Sequence, residues 1–352
     1  MEMGLGSGAV VVGEVLRERT ATALPEPETG PVKIYVEPTS RCNLICRFCS
    51  RTARNEPLGE MDERTFAAVV EGVRALERSV TVFFGGIGEP LAHPRLPEMV
   101  AQAKEVGARV ELVTNGTLLD RRLGQALIAA GLDCLWVSLD AATPERYGDL
   151  RLGAALPDVL ENVRRFREAR PAGRLRPEIG LAFVAMRRNV ADLPAILDLA
   201  GRLGATRFHV SQLLAHTTEM VEETLYPQMP FSDPPRFGGS CPFIQAGAVA
   251  VGGDGSFSPC LPLVHGSVSF LHGAERTTRR YVVGNVRERG LLELWEDPGH
   301  RAFRERVRAF RFAPCASCGS CFLASTNEDD CFGAPFPTCG GCLWAQGLIA
   351  CP

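Results

Sequence analysis

The sequence lacks a strong net charge, a long hydrophobic run and a recognisable export signal. Its 352 residues carry a formal net charge of −3, which gives no reason to expect nucleic acid or an anionic membrane surface as a partner. No run approaches the ~18 consecutive apolar residues that read as a membrane span. The first residues contain no basic n-region, and the apolar segment at residues 8–12 is too short for a signal peptide. We therefore expect a cytoplasmic protein that does not enter the membrane.

Cysteine is abundant, and its distribution is uneven. A cytoplasmic protein is not expected to build a disulfide framework, so the thirteen cysteines need another explanation. Twelve of them fall within residues 42–49 and 241–351, and Cys134 alone lies between these two groups. Clustering of this kind favours metal binding over scattered core packing.

The first group is the C-x3-C-x2-C sequence of Cys42, Cys46 and Cys49. Four cysteines usually hold an iron–sulfur cube, so three thiolates on one loop would leave one iron open to a substrate or a cofactor. A zinc site would need four ligands, with a histidine or a further cysteine nearby. The nearest histidine, His93, is far along the chain. The triplet therefore favours a 4Fe–4S cluster with an open iron.

Strand and helix patterns alternate over the first two thirds of the chain. The predicted strands are residues 32–37, 80–84, 109–114, 134–139, 178–186 and 206–212. The predicted helical segments are residues 66–76, 96–106, 118–130 and 192–203, with a further turn that Thr143 caps. Such alternation predicts a parallel sheet. Six strands are too few for a closed eight-stranded barrel, so we expect an α/β fold with a partial, TIM-like (β/α)6 barrel.

Chemistry in such folds lies on the loops that follow the strand C-termini. The cysteine loop, the Gly-rich segment at residues 85–90, Asn115 and Asp140 all fall there. Ser138 and Asp140 share one face of their strand, which we expect to be the barrel interior. Local turns or caps are an equally good explanation of these polar residues. His209, on the sixth strand, is expected to be a core histidine.

The cysteine triplet, followed one strand later by the Gly-rich loop, resembles the radical S-adenosylmethionine (radical SAM) superfamily. That resemblance implies a cluster whose open iron chelates the methionine part of SAM. The segment containing Gly86, Gly88 and Glu89 is similar to the family's GGEP element, with Ile87 in place of its first glycine. The implied role of this segment is binding the SAM amino group, and Asn115, Ser138 and Asp140 would contact the ribose or the carboxylate. The resemblance also implies a 5′-deoxyadenosyl radical and a low-potential electron donor such as ferredoxin or flavodoxin.

The C-terminal third contains nine cysteines, one more than two fully ligated 4Fe–4S clusters need. They are Cys241, Cys260, Cys315, Cys318, Cys321, Cys331, Cys339, Cys342 and Cys351. This arrangement resembles the SPASM extension of radical SAM enzymes, which implies two auxiliary clusters. The later spacings depart from the family pattern, so the assignment of ligands to each cluster stays open. A zinc ribbon built from the Cys315/Cys318 and Cys339/Cys342 pairs is an alternative, but it leaves five cysteines unexplained.

These patterns divide the chain into a lead-in at residues 1–31, a partial barrel at 32–212, a linker at 213–240 and a SPASM region at 241–352. A short strand is expected at Ala9–Val12. Residues 337–352, with Val283–Val286 and Leu294-Trp295, resemble SPASM proteins associated with tungsten-cofactor oxidoreductases. That resemblance implies a maturase of an aldehyde:ferredoxin oxidoreductase-type enzyme or of its cofactor. The alternatives are an enzyme that crosslinks a ribosomal peptide and a non-enzymatic zinc or iron–sulfur binding module.

Overall fold

The computed structural model describes residues 30–54, 56–171, 173, 176–226, 241–271, 273–317 and 321–352. The strand expected at Ala9–Val12 lies outside these residues, as does Cys318. The second half of the segment expected to be a linker, residues 227–240, is also outside them.

The described residues of the N-terminal two thirds contain eight strands, six of which form the parallel sheet that the sequence predicts. In chain order they are β1 (Lys33–Val36), β2 (Ile45–Cys46), β3 (Thr81–Phe84), β4 (Arg109–Thr114), β5 (Cys134–Ser138), β6 (Arg151–Leu152), β7 (Glu178–Ala185) and β8 (Arg207–Gln212). Strands β1, β3, β4, β5, β7 and β8 are neighbours in this order, and each pair is parallel. β2 and β6 form a separate antiparallel ribbon.

Seven α-helices accompany these strands in the part of the chain that the structure describes. They are α1 (Glu63–Arg74), α2 (Leu96–Glu105), α3 (Arg121–Ala129), α4 (Pro144–Leu150), α5 (Leu156–Glu168), α6 (Leu193–Leu203) and α7 (Thr218–Glu223). Asp62, Asp120 and Thr143 cap α1, α3 and α4 by accepting a hydrogen bond from a backbone N–H in the first turn. Two helices were not predicted, α5 and α7, and α7 lies within the segment expected to be a linker. No described helix has the length and apolar character needed to cross a membrane.

The C-terminal region continues the barrel sheet instead of forming a separate sheet. Its elements are α8 (Pro242–Gln245), β9 (Ala248–Val251), β10 (Ser256–Ser258), β11 (Ser267–Leu271), β12 (Ala274–Thr278), β13 (Gly284–Asn285), α9 (Leu291–Trp295) and α10 (Pro298–Arg308). β9 pairs in parallel with β1, and β10 and β13 follow in antiparallel pairing. The nine-stranded order is β13-β10-β9-β1-β3-β4-β5-β7-β8. The boundary expected at residue 241 is therefore a change of composition, not a break in the sheet.

The two faces of the strands contact different partners because successive side chains point to opposite sides. Ile34 and Val36 of β1 pack in the large core with the helices. Tyr35, between them, packs on the other face with Phe83, Trp136 and residues of the C-terminal region. The C-terminal region thus covers the inner side of the partial barrel, where the chemistry is expected.

Candidate active site

The cysteine loop is held by hydrogen bonds before the triplet and by strand pairing within it. Before it, the Ser40 N–H donates to the Gly59 carbonyl at 3.0 Å and the Met61 N–H donates to the Pro38 carbonyl at 2.8 Å. Within it, the β2–β6 ribbon places Cys46 opposite Arg151. Cys42, Cys46 and Cys49 are all partly buried and border one cavity. The structure therefore brings the three predicted ligands to one site.

The charges around these thiols suit an anionic centre. Burial raises the pKa of Cys46 to about 11, and the Arg151 guanidinium opposes that rise. Burial also raises the pKa of Cys42, opposed by the Leu44 N–H and by Arg51. Thiolates are the ligand form, so cluster binding would release protons and leave negative charge beside these two arginines. Three thiols facing one cavity fit a cluster that keeps one iron open.

No three His, Cys, Asp or Glu side chains of the described residues converge as the ligands of one metal ion do. The cysteines of a 4Fe–4S cluster each bind a different iron, and their sulfurs lie farther apart than those around a single ion.

The Gly-rich loop lies directly on the backbone of the cysteine loop. The Glu89 N–H donates to the Arg41 carbonyl at 2.8 Å. A Cβ on Gly88 would lie 2.1 Å from the Thr39 carbonyl oxygen, and one on Gly86 would lie 2.5 Å from Glu37 Oε2. Gly86 also has a φ of +155°, a backbone angle that residues with a side chain rarely adopt. Both glycines are needed for this close contact, and both border the cavity.

Glu89 holds the ends of two strands together. Its Oε1 accepts from the Leu91 N–H at 3.0 Å and the Thr114 hydroxyl at 2.7 Å, and its Oε2 accepts from the Asn115 N–H at 2.7 Å. Burial raises the pKa of Glu89, and these hydrogen bonds oppose the rise. Both carboxylate oxygens thus accept hydrogen bonds from the protein, and this geometry lets Glu89 position Thr114 and Asn115 at the end of their strand. Asn115 borders the cavity, and its Nδ2 donates to the Asn43 Oδ1 at 3.0 Å.

Ser138 and Asp140 have different environments. Ser138 borders the cavity, as expected. Asp140 is fully buried and does not border the cavity. Its carboxylate accepts hydrogen bonds from Arg151 Nε and from the Val184 N–H, each at 2.7 Å. Asp140 thus orients Arg151, which borders the cavity, and a direct cofactor contact from Asp140 stays a prediction.

The cavity has a volume of about 440 Å³ and connects the cysteine triplet with the C-terminal cysteines. Its wall also contains Arg54 and His265. Arg54 Nη2 lies 2.8 Å from His265 Nδ1, and His265 Nε2 lies 2.8 Å from Glu37 Oε1. This network joins the cysteine loop, β1 and the C-terminal region. No sequence pattern predicts Arg54, Arg151 or His265 at the site, since none belongs to a spaced motif.

The described C-terminal cysteines form two groups with one thiol apart. Cys241, Cys260, Cys339 and Cys342 lie together in one buried cluster. Burial, and then the charges of the other three thiols, raises the pKa of Cys260 well above its ordinary value. Cys315, Cys321 and Cys331 form the other group, since the charges of Cys331 and Cys321 act on Cys315. The zinc ribbon would instead need Cys339 and Cys342 beside Cys315, so this grouping disfavours it.

Cys351, also a predicted ligand, borders the same cavity, but no other thiol is among the groups that shift its pKa. Burial raises its pKa, and its neighbours Trp344 and Lys33 oppose the rise. The segment around it lies along the inner side of the barrel, where Lys33 Nζ donates to the Pro352 carbonyl at 2.5 Å. His209 Nε2 lies 3.1 Å from the Ala350 carbonyl oxygen, which agrees with its expected structural role.

Comparisons with known proteins agree with this architecture. A family model described as the radical SAM superfamily matches residues 36–211, and a SPASM model described as an iron–sulfur cluster-binding domain matches residues 241–322. The solved structure of anSMEcpe with bound AdoMet is similar in fold, with a TM-score of 0.61 and 17% identity over 90% of this chain and 96% of that one. Streptococcus suis SuiB, bound to its precursor peptide SuiA, gives a TM-score of 0.58 and 16% identity over 83% and 70%.

Two curated relatives are more similar in sequence. The tungsten-containing aldehyde ferredoxin oxidoreductase cofactor-modifying protein of Pyrococcus furiosus is 28% identical in an alignment of 348 positions that covers 91% of this chain and 96% of the relative. The PqqA peptide cyclase of Gluconobacter oxydans is 37% identical over 196 residues, or 55% of this chain and 51% of the relative. The predicted 4Fe–4S clusters and SAM are the cofactors that these family matches imply. The chain belongs to the radical SAM superfamily and is a radical SAM enzyme with a C-terminal SPASM domain.

Proposed function

We propose that this enzyme is a maturase of a tungsten-containing aldehyde ferredoxin oxidoreductase-type enzyme and that it modifies that enzyme's cofactor. The observation that carries the proposal is the extent of the similarity to the Pyrococcus furiosus cofactor-modifying protein, which covers 96% of that relative. The peptide cyclase, although more identical, is matched over only 51% of its length. The match to the first relative thus extends over nearly its whole length and the match to the second over about half, and this difference supports the first.

In this proposal Cys42, Cys46 and Cys49 hold the SAM-binding cluster. When bound, this cluster supplies the electron that cleaves SAM to methionine and a 5′-deoxyadenosyl radical, which takes a hydrogen atom from the substrate. A ferredoxin or flavodoxin is the proposed source of the electron.

The protein's own part is orientation and exclusion of water. Gly88 lets the Gly-rich loop approach the backbone of the cysteine loop, and Gly86 leaves room for the Glu37 side chain. In this proposal the loop binds the SAM amino group beside the triplet. Ser138, Asn115 and the Arg151 guanidinium border the cavity and supply donors for the carboxylate and the ribose. A cavity of about 440 Å³ is within the range of small-molecule sites.

We also propose a ligand set for each auxiliary cluster. Cys241, Cys260, Cys339 and Cys342 would hold one cluster, because their thiols are grouped and border the cavity. Cys315, Cys321 and Cys331 would hold the second, with Cys318 as the fourth ligand on the basis of its spacing. The first cluster is placed to bind substrate or to accept an electron from it. Cys351 is the thiol left over.

Peptide modification is the second candidate, and the 37% identity to the PqqA peptide cyclase favours it. In that case the same cavity would take a residue of a precursor peptide, with a thioether or carbon–carbon crosslink as the product.

The test is production of a tungsten-containing aldehyde oxidoreductase in a host with this protein, without it, or with its Cys46→Ala variant. The cofactor extracted from the oxidoreductase is then compared by mass spectrometry. We expect a mass change only with the wild-type protein. An identical cofactor mass in all three preparations, despite SAM cleavage by the wild type, would rule out cofactor modification and favour the peptide substrate.

A further inference from the structure

Arg276 on β12 is a buried cation in the wall of the cavity. Only 4% of the residue is exposed, and it borders the cavity together with Cys339 and Cys342. Its guanidinium donates from Nη1 to the Ala324 carbonyl. A Cβ on Gly341 would lie 2.6 Å from Arg276 Cζ, so the guanidinium lies directly against the backbone at Gly341.

No carboxylate among the described residues pairs with Arg276. Its near neighbours in sequence differ in this respect, since Arg279 pairs with Glu328 and Arg280 with Asp254. Those two side chains are 63% and 36% exposed, so their charges are also solvated. A buried charge normally has a partner, because desolvation without one costs several kcal/mol. Arg276 therefore requires a source of negative charge that the polypeptide does not supply as carboxylate.

The groups around Arg276 are thiols from both auxiliary groups. Cys342, Cys315 and Cys339 are the groups whose negative charge acts on its guanidinium. The two cysteine loops also contact each other, since the Ala316 N–H donates to the Gly340 carbonyl at 2.9 Å. Gly340 fits against the other loop closely, and a Cβ there would lie 1.9 Å from the Ala313 carbonyl oxygen. Arg276 thus lies where the two thiol groups meet.

A 4Fe–4S core with four thiolate ligands is an anion, and reduction makes it more negative. A nearby cation stabilises the reduced form more than the oxidised form and so raises the reduction potential, which depends on the charges around the cluster. Burial strengthens this effect because water screens it less.

We propose that Arg276 is the shared counter-charge of the two auxiliary clusters and raises the reduction potential of both. This inference rests on the proposed ligand sets, but not on the tungsten-related substrate. Arg276 is a positioning and tuning residue here, and no chemical step is assigned to it. Its location lets one side chain act on both clusters.

The test is a redox titration of the reconstituted full-length protein, followed by electron paramagnetic resonance of each cluster. We expect Arg276→Gln to shift the midpoints of both auxiliary clusters to more negative potentials. The SAM-binding cluster should not shift, and the iron content should not change. Arg276→Lys, which keeps the charge, should recover part of the shift. The matched control, Arg279→Gln, removes an exposed arginine of the same region and should leave all midpoints unchanged.

Unchanged auxiliary midpoints in an iron-replete Arg276→Gln protein would overturn the proposal, as would a shift confined to one cluster. If Arg276→Gln does not retain auxiliary iron, the test depends on Arg276→Lys. Full auxiliary iron in Arg276→Lys, with only a small negative shift of the midpoints, supports a charge role. Loss of as much iron from Arg276→Lys as from Arg276→Gln shows a packing role and contradicts the proposal. Gly341→Ala provides a second route, because its Cβ displaces the guanidinium without removing the charge. A negative shift of both midpoints is expected there too.

Discussion

At the scale of single residues, Gly88 packs directly against the backbone of the cysteine loop. A Cβ at this position would lie 2.1 Å from the Thr39 carbonyl oxygen and 2.6 Å from that of Arg41. Both are backbone atoms, so neither can turn away as a side chain does. The loops can keep their present contact only with glycine at position 88.

We predict that Gly88→Ala separates the two loops and lowers 5′-deoxyadenosine formation from SAM at least ~10-fold, the equivalent of about 1.4 kcal/mol. Auxiliary iron should be retained, because the change is remote from the C-terminal cysteines. Gly59→Ala is the matched control, since a Cβ there meets nothing within 4 Å. Equal turnover of Gly88→Ala and Gly59→Ala would contradict the assigned contact.

The pair formed by Asp140 and Arg151 gives a second prediction. Asp140 is 0% and Arg151 8% exposed in their side chains, so removing one partner leaves a buried charge. Arg151→Met should lower the free energy of unfolding by about 3–5 kcal/mol. The double variant Arg151→Met/Asp140→Asn should recover much of that loss, because it removes both charges.

Denaturant titrations of the wild type, each single variant and the double variant measure this coupling. If the double variant is as unstable as the sum of the two single variants, the pair is not coupled as described.

Residues with a spacing signature were predictable, and residues without one were not. The C-x3-C-x2-C triplet and the glycines beside it are short-range patterns, and the structure places them together. Arg54, Arg151 and His265 join the site through contacts between distant segments. A single arginine or histidine has no periodicity that would reveal such a contact. Strand alternation predicts which side of the sheet Asp140 faces, but it does not predict that Arg151 is its partner.

At the scale of secondary-structure elements, the junction of α9 and α10 contains a histidine that the fold keeps neutral. His300 is fully buried, between the rings of Trp295 and Phe257. Burial, and then the Arg304 charge, lowers the pKa of His300 from 6.5 to about 4. The unfolded chain therefore binds a proton that the folded chain does not bind between these two pH values.

It follows that stability falls as the pH drops from about 6.5 to 4, by about 3 kcal/mol in total from this group. We predict that His300→Phe, which keeps a ring in the same space, reduces the loss of stability between pH 7 and pH 5. Urea titrations of both proteins at the two pH values measure this difference. An identical pH dependence in the wild type and in His300→Phe would contradict it.

Most strands and helices of the barrel follow from local patterns, whereas helices α5 and α7, the β2–β6 ribbon and the C-terminal strands were not predicted. Strand ends were predicted to within a few residues because β-branched runs end at Gly, Asn or Asp. Helix α5 has buried residues at Leu156, Val159, Val163 and Phe166, a helical spacing that predicts an amphipathic helix. Helix α7 has only one buried residue, Met220, and the sequence offered no comparable stripe.

At the scale of the whole molecule, the C-terminal region and the barrel share one sheet. β9 pairs with β1 from Lys33↔Ala248 to Val36↔Val251, which joins segments more than half the chain apart. Local patterns predict a strand at residues 32–37 but neither β9 nor its pairing with β1, so the domain division by composition does not show this continuity. The shared sheet places both sets of cysteines around one cavity, as a radical enzyme with auxiliary clusters requires.

The central claim is that the cysteine triplet holds a cluster with one open iron that binds SAM. The most direct measurement is anaerobic iron and sulfide analysis combined with an assay of 5′-deoxyadenosine formed from SAM under reduction. The account predicts about twelve irons per chain and deoxyadenosine production by the wild type. It predicts about eight irons and no deoxyadenosine for Cys46→Ala. Zinc in place of iron at the triplet, or deoxyadenosine production by Cys46→Ala equal to that of the wild type, would contradict it.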